Sequence, residues 1–212
     1  MREWSAVISA VLVTVGTVWY ILVALRGTKV KPVLASWIVL GSTMTLSFAT
    51  YWTSPKHSLV SNACNAAGVL STLSILVLAI WLSWKKGGPV SFSRFQKWCL
   101  VVSGLIAAFW VVLVWGLGGS GIVPNILTQV LMIVGYLVTA EKLWSAPKNT
   151  ESFFTWYCLM VASAIALYTA TVSSDELAML YSVRALVASA TLVVLMHRIE
   201  RKNRVPQVAP TF

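Results

Sequence analysis

The sequence predicts an all-α membrane protein of seven transmembrane helices, and three observations carry that prediction. The first is composition. Of 212 residues, 58% are hydrophobic and 10% are charged, whereas soluble domains are about 25% charged and about 45–50% apolar. The mean hydropathy of +0.81 agrees. Eleven Trp, seven Phe and six Tyr exclude a disordered chain, because disorder goes with polar, aromatic-poor sequence. The second is run length. A helix needs about 20 apolar residues to cross the hydrocarbon core, and seven segments qualify: 4–25, 32–52, 58–84, 94–117, 122–144, 152–172 and 176–197. The third is that every break between them carries turn chemistry or charge. A closed β-barrel would need alternating polar and apolar residues, and these runs do not alternate.

Each span can be justified in order. Span 1 follows Met1-Arg2-Glu3, which has one charge of each sign. Its apolar run is longer than the about 7–15 residues of a signal peptide, and no A-x-A site follows, so it is expected to persist as a helix. Arg26 to Pro32 separates it from span 2, which stops before Ser54-Pro55-Lys56. Span 3 ends at Lys85-Lys86-Gly87-Gly88-Pro89, and span 4 ends at Gly118-Gly119-Ser120-Gly121. Pro124 opens span 5 as a first-turn proline. Ser145 to Glu151 precedes span 6, and Ser173-Ser174-Asp175 precedes span 7. Residues 198–212 form a basic tail. The whole chain reads as one membrane domain.

Lys and Arg near the span ends set orientation. One side holds Arg26, Lys29, Lys31, Lys85, Lys86, Arg94, Lys97, Lys142, Lys148, Arg198, Arg201, Lys202 and Arg204; the other holds only Arg2 and Lys56. The expected topology is a multi-pass protein of the plasma or inner membrane, N-terminus outside and C-terminus cytoplasmic. The net charge of +10 is then explained by a cytoplasmic face meeting anionic lipid. Nucleic acid is not needed to account for it.

The chain also repeats. At an offset of 119, Val11, Leu12, Val15 and Gly16 fall on Val130, Leu131, Val134 and Gly135, Trp37 falls on Trp156, and Thr50 on Thr169. Both three-span units, 4–84 and 122–197, begin outside and end inside. They are parallel repeats, with 94–117 as an inverting linker helix. Such repeats place a substrate site between the halves near the midplane. Gly16 and Gly135 are candidates for a bend or a close approach of spans 1 and 5.

This 3+1+3 pattern resembles the SWEET and PQ-loop superfamily of small transporters. Lys31-Pro32-Val33-Leu34-Ala35-Ser36-Trp37 is similar to the K-P-x-x-x-S-W connector of a group of bacterial seven-helix members. Pro147-Lys148-Asn149-Thr150-Glu151-Ser152, leading to Trp156, is similar to their P-x-x-x-E-S counterpart. The resemblance covers about residues 5–200 and implies that asparagines on spans 3 and 7 contact cargo. The Pro-Gln pair that names the PQ-loop families is missing from spans 1 and 5, so sugar as cargo is not implied.

Ionisable groups at membrane depth cost about 2.5–3.5 kcal/mol on insertion scales and are functional candidates by default. Arg184, mid-span 7, is the clear case, with no acidic residue expected at its depth. It falls on Asn65 in the repeat, and Tyr181 falls on Asn62. Each pair is spaced i, i+3 and shares a helix face. Asn62, Asn65, Tyr181 and Arg184 are therefore expected around the central axis, where a guanidinium would favour a carboxylate or phosphate. Alternatively, Arg184 donates to helix carbonyls or holds the halves together. Asn125 and Gln129, at i, i+4, serve as interhelical glue or line the cavity. Trp37 and Trp156 serve as interfacial anchors or as an inner gate.

Other chemistry is not indicated. Cys64, Cys99 and Cys158 lie in apolar runs without C-x-x-C spacing and read as small buried hydrophobes. His57 and His197 belong to opposite faces and cannot share a metal. Asp175 is the only aspartate, span 7 has no lysine for a retinal Schiff base, and no hydrolase or P-loop motif occurs. No catalytic, cofactor or metal site is expected, and the chain does not read as an enzyme. The expected function is a small-solute transporter, an uncoupled facilitator working by alternating access, with anionic cargo bound between the repeats. The alternative is a non-transporting receptor, sensor or partner of another membrane complex. Monomers, dimers and trimers remain open.

Overall fold

The computed structural model describes residues 2–27, 30–52, 57–85, 91–116 and 122–204. Within them lie seven long helices: α1 (Arg2–Leu25), α2 (Leu34–Trp52), α3 (Ala63–Lys85), α4 (Arg94–Val111, continuing as a π-helical segment Val112–Gly116), α5 (Ile122–Ser145), α6 (Phe153–Val172) and α7 (Glu176–Arg204). Six are long and apolar enough to cross a membrane. The exception is α2, which is rich in Ser and Thr. It is also a heavily buried helix, and its hydroxyls turn inward or back onto its own carbonyls, as Thr43 and Thr50 do. Polar groups are thus hidden while large apolar ones face out. Leu70, Val77, Leu105 and Val187 are exposed, whereas Thr43, Asn65, Thr128 and Ser163 are fully buried. That distribution suits lipid as the surrounding solvent.

Local chemistry ends the helices where the breaks predict. Gly27, with φ of +65°, accepts the left-handed turn after α1. Ser93 and Gln96 form a reciprocal capping box on α4, and Ser152 accepts the Thr155 amide at the start of α6. Asp175 Oδ1 accepts the Ala178 amide at the start of α7. This last helix runs past the expected end of span 7. Arg198 lies over the Trp144 ring, and Asn203 donates to the Pro147 carbonyl, so neighbouring groups hold the extra turns in place.

The six helices α1, α3, α2, α5, α7 and α6 touch in that cyclic order, with α6 returning to α1. Helix α4 stands outside the ring against α5 and α2, tied by Trp110 Nε1 donating to Thr50 Oγ1. Two small-residue crossings fix the ring. Ser36 of α2 donates to the Gly135 carbonyl of α5 at 2.7 Å, and Thr155 of α6 donates to the Gly16 carbonyl of α1 at 3.0 Å. A Cβ on Gly16 would lie 3.0 Å from Cβ of Cys158, and one on Gly135 would lie 2.7 Å from Cδ2 of Leu40. The two glycines are sites of close helix approach.

Candidate functional site

The ring encloses a small cavity of about 60 Å³ to which all six of its helices contribute, including Thr17, Trp37, Met44, Gly68, Tyr136, Trp156 and Tyr181. This is room for a few water molecules. Gly68 is what lets the helices meet there. A Cβ at that position would lie 2.2 Å from Cε of Met44 and 3.1 Å from the Tyr181 hydroxyl, so α7 reaches across to α3 through an aromatic ring.

Polar contacts tie the helices together at both ends of the bundle. At the end carrying the basic connectors, the Lys31 amide donates to the Thr150 carbonyl at 3.1 Å, and Lys142 Nζ donates to the Lys31 carbonyl. Glu151 lies just behind, 4% exposed, with Lys142 Nζ at 3.6 Å and Trp156 Nε1 donating at 3.4 Å. Burial pushes its carboxyl above the usual range, while Lys142, Trp156 and Tyr20 oppose the shift. At the opposite end, Asp175 Oδ2 accepts from Tyr51 at 2.5 Å and from Ser61 at 2.6 Å, joining α2 and the α2–α3 turn to the α6–α7 turn.

Arg184 is buried, at 8% exposure. Its Nε donates to Gln129 Oε1 at 2.8 Å, and Gln129 Nε2 donates in turn to Asn125 Oδ1 at 3.3 Å. Its guanidinium lies over the rings of Tyr181, at 4.8 Å, and Tyr136, at 5.7 Å. Such cation–π contacts contribute about 0.5–2 kcal/mol each. Both terminal nitrogens are enclosed without a hydrogen-bond partner, and unmet donors on a buried charge are costly. The same Tyr136 and Tyr181 line the cavity on one side, whereas Arg184 and Gln129 lie at one end of a second space between α5 and α7.

The sequence-predicted residues are thus partly assembled. Asn125, Gln129, Tyr181 and Arg184 form one connected group. Asn62 and Asn65 are buried on and beside α3, each with one side-chain atom unbonded, and no hydrogen bond joins them to Tyr181 or Arg184. Trp37 and Trp156 are 7% and 3% exposed and pack edge-on against Tyr20 and Tyr136. Both line the cavity rather than the outer surface of the bundle. Sequence reasoning named Glu151 only as part of a connector motif, with no role of its own, and missed Tyr136. The sequence signal for Glu151 was a carboxylate five residues before a cavity tryptophan. Tyr136 follows Gly135 of the repeat directly. The three cysteines are free and buried, and His197 bonds to Tyr157 at 2.6 Å.

Together these features define an all-helical bundle with membrane-compatible helices around a small, partly polar interior. No protein-family model matches the chain, and neither a curated protein nor a solved structure is detectably similar to it.

Proposed function

We propose that this protein is a small-solute membrane transporter of SWEET-like 3+1+3 architecture. On this reading it is a facilitator in which two parallel three-helix halves rock about a central site. The supporting observation is a set of contacts that recur at the offset of 119. Ser36 and Gly135 become Thr155 and Gly16, and Val39 against Gly135 becomes Cys158 against Gly16. Lys31 bonds to Thr150, its own repeat counterpart, as expected of residues on a pseudo-two-fold axis. The helix contacts follow the same rule, α1 with α6 matching α5 with α2. A small cavity on such an axis, among helices tied together at both ends, suits a central site of an alternating-access transporter.

The cargo is anionic on this reading, because Arg184 carries two enclosed, unbonded donors and, among the described residues, no Asp or Glu lines either neighbouring space. The same absence of acid favours uncoupled transport. The basic connectors lie in the cytoplasm. The test is uptake of carboxylates and phosphorylated metabolites into proteoliposomes, wild type beside Arg184→Gln. Uptake of an anion that the variant abolishes supports the reading; full uptake by the variant overturns the role of Arg184.

A further inference from the structure

The space between α5 and α7 differs from the central cavity in size, wall chemistry and access. It measures about 460 Å³, and its walls include Ile133, Leu137, Val183 and Val187. These side chains are 45–60% exposed, so the groove opens on the outer surface of the ring, which is the lipid-facing side if the bundle spans a membrane. Its charged and amide groups, Arg184 and Gln129, lie towards one end; the other polar wall residues are Tyr136 and, at the far end, Thr191, whose hydroxyl donates back to the Val187 carbonyl. From Arg184 the apolar wall continues along α7 to Leu192, eight residues or about 12 Å further on. An apolar channel ending in one buried cation has the polarity of a single-chain amphiphile.

We propose that this groove binds a fatty carboxylate entering sideways from the bilayer. The head group accepts from both terminal nitrogens of Arg184 while the chain lies between α5 and α7. The enclosed nitrogens make no existing bond that the ligand must replace, and two parallel donors suit a carboxylate. Gln129 and Asn125 hold the Nε edge, so the enclosed terminal nitrogens are the donors left for a head group that displaces the side chains covering them. One guanidinium at this depth is matched to one carboxylate rather than to a bulky phospholipid head group. The inference rests on the anion reading of Arg184 and adds the ligand class and its route.

The test is equilibrium binding of radiolabelled laurate to the full chain in phosphatidylcholine nanodiscs, with methyl laurate and propionate as competitors. Wild type is compared with Arg184→Gln and with Val187→Trp, which fills the groove from its lipid-facing wall. Laurate is expected to bind and methyl laurate not to compete. Arg184→Gln should weaken binding at least about tenfold, the equivalent of one lost charge-assisted bond, and Val187→Trp should weaken laurate but not propionate. Laurate binding that is the same in all three proteins overturns the proposal. Arg184-dependent propionate binding that survives in Val187→Trp, with no preference for laurate, removes the groove and leaves the anion reading standing. Neither anion depending on Arg184 removes both. A dimer that Val187→Trp disrupts, with no laurate bound, assigns the groove to a second copy and also overturns the proposal.

Discussion

Gly135 is where the close crossing of α5 and α2 can be tested most sharply. A methyl group added there would sit 2.7 Å from Cδ2 and 2.9 Å from Cγ of Leu40, and 3.2 Å from Cγ1 of Val39. Leu40 Cγ is a branch point, so the clash is relieved only if Leu40 leaves its rotamer or α2 backs away. Overpacking of this kind costs about 1–3 kcal/mol, and the better helix propensity of Ala returns about 1 kcal/mol. With two atoms inside 3 Å, Gly135→Ala should destabilise by about 1–2 kcal/mol net. Gly104→Ala is the control, because nothing lies within 4 Å of its added methyl; it should stabilise by up to about 1 kcal/mol. At about 2–4 °C per kcal/mol for a chain this long, the variants should separate by about 2–12 °C. Thermal unfolding in detergent, followed by helical circular dichroism, measures this. Leu40→Ala added to Gly135→Ala should recover part of the loss relative to Leu40→Ala alone. Equal midpoints for Gly135→Ala and Gly104→Ala would refute the close-approach argument.

Two further predictions concern the ends of the bundle. Tyr51→Phe and Asp175→Asn should each destabilise, and a double-mutant cycle should return a coupling of about 1.5–3 kcal/mol for a hydrogen bond to a charged group; additive effects would show that the 2.5 Å bond does not help close that end. Cysteines placed at the exposed Leu59 and Trp144, in a background lacking the native three, should react with an impermeant reagent from opposite sides of the membrane. Leu59→Cys should react from outside. Labelling of both from one side would contradict the proposed orientation.

The helices were legible because their evidence is local: run length, breaks and caps are all written within about 25 residues. The shortfall of α2 in hydropathy has a tertiary cause, since Ser36 is polar to reach Gly135 and Thr50 to accept from Trp110. The site was legible only as far as single helix faces go. Spacing put Asn125 with Gln129 and Tyr181 with Arg184, but it gave no means of placing Gln129 on Arg184, 55 residues away. The tryptophans show the same limit. Their depth suggested a membrane interface, while rings from other helices, Tyr20 and Tyr136, decide that they face inward.

The two ends of the bundle differ in chemistry, and the chemistry at the basic end gives it a response to pH. Asp175 accepts two hydroxyl donors and a helix amide. Glu151 sits behind the connectors with its carboxyl raised by burial, facing Lys142 from α5, Trp156 from α6 and Tyr20 from α1. A raised carboxyl means that the closed form holds the proton more tightly than an open or unfolded one. The stability this contributes is full below the ordinary value of 4.5 and is lost as pH rises through the raised value. Rising pH should therefore favour opening of the basic end, and Glu151→Gln should hold it closed. Thr17→Cys, on the cavity wall, reports this through its labelling rate by a small thiol reagent. The rate ratio of the Glu151 protein to the Glu151→Gln protein cancels the ordinary increase in thiolate with pH, and it should climb from pH 4.5 towards neutrality. A ratio that stays flat over that range would mean that Glu151 is a static strut, its burial unconnected with opening.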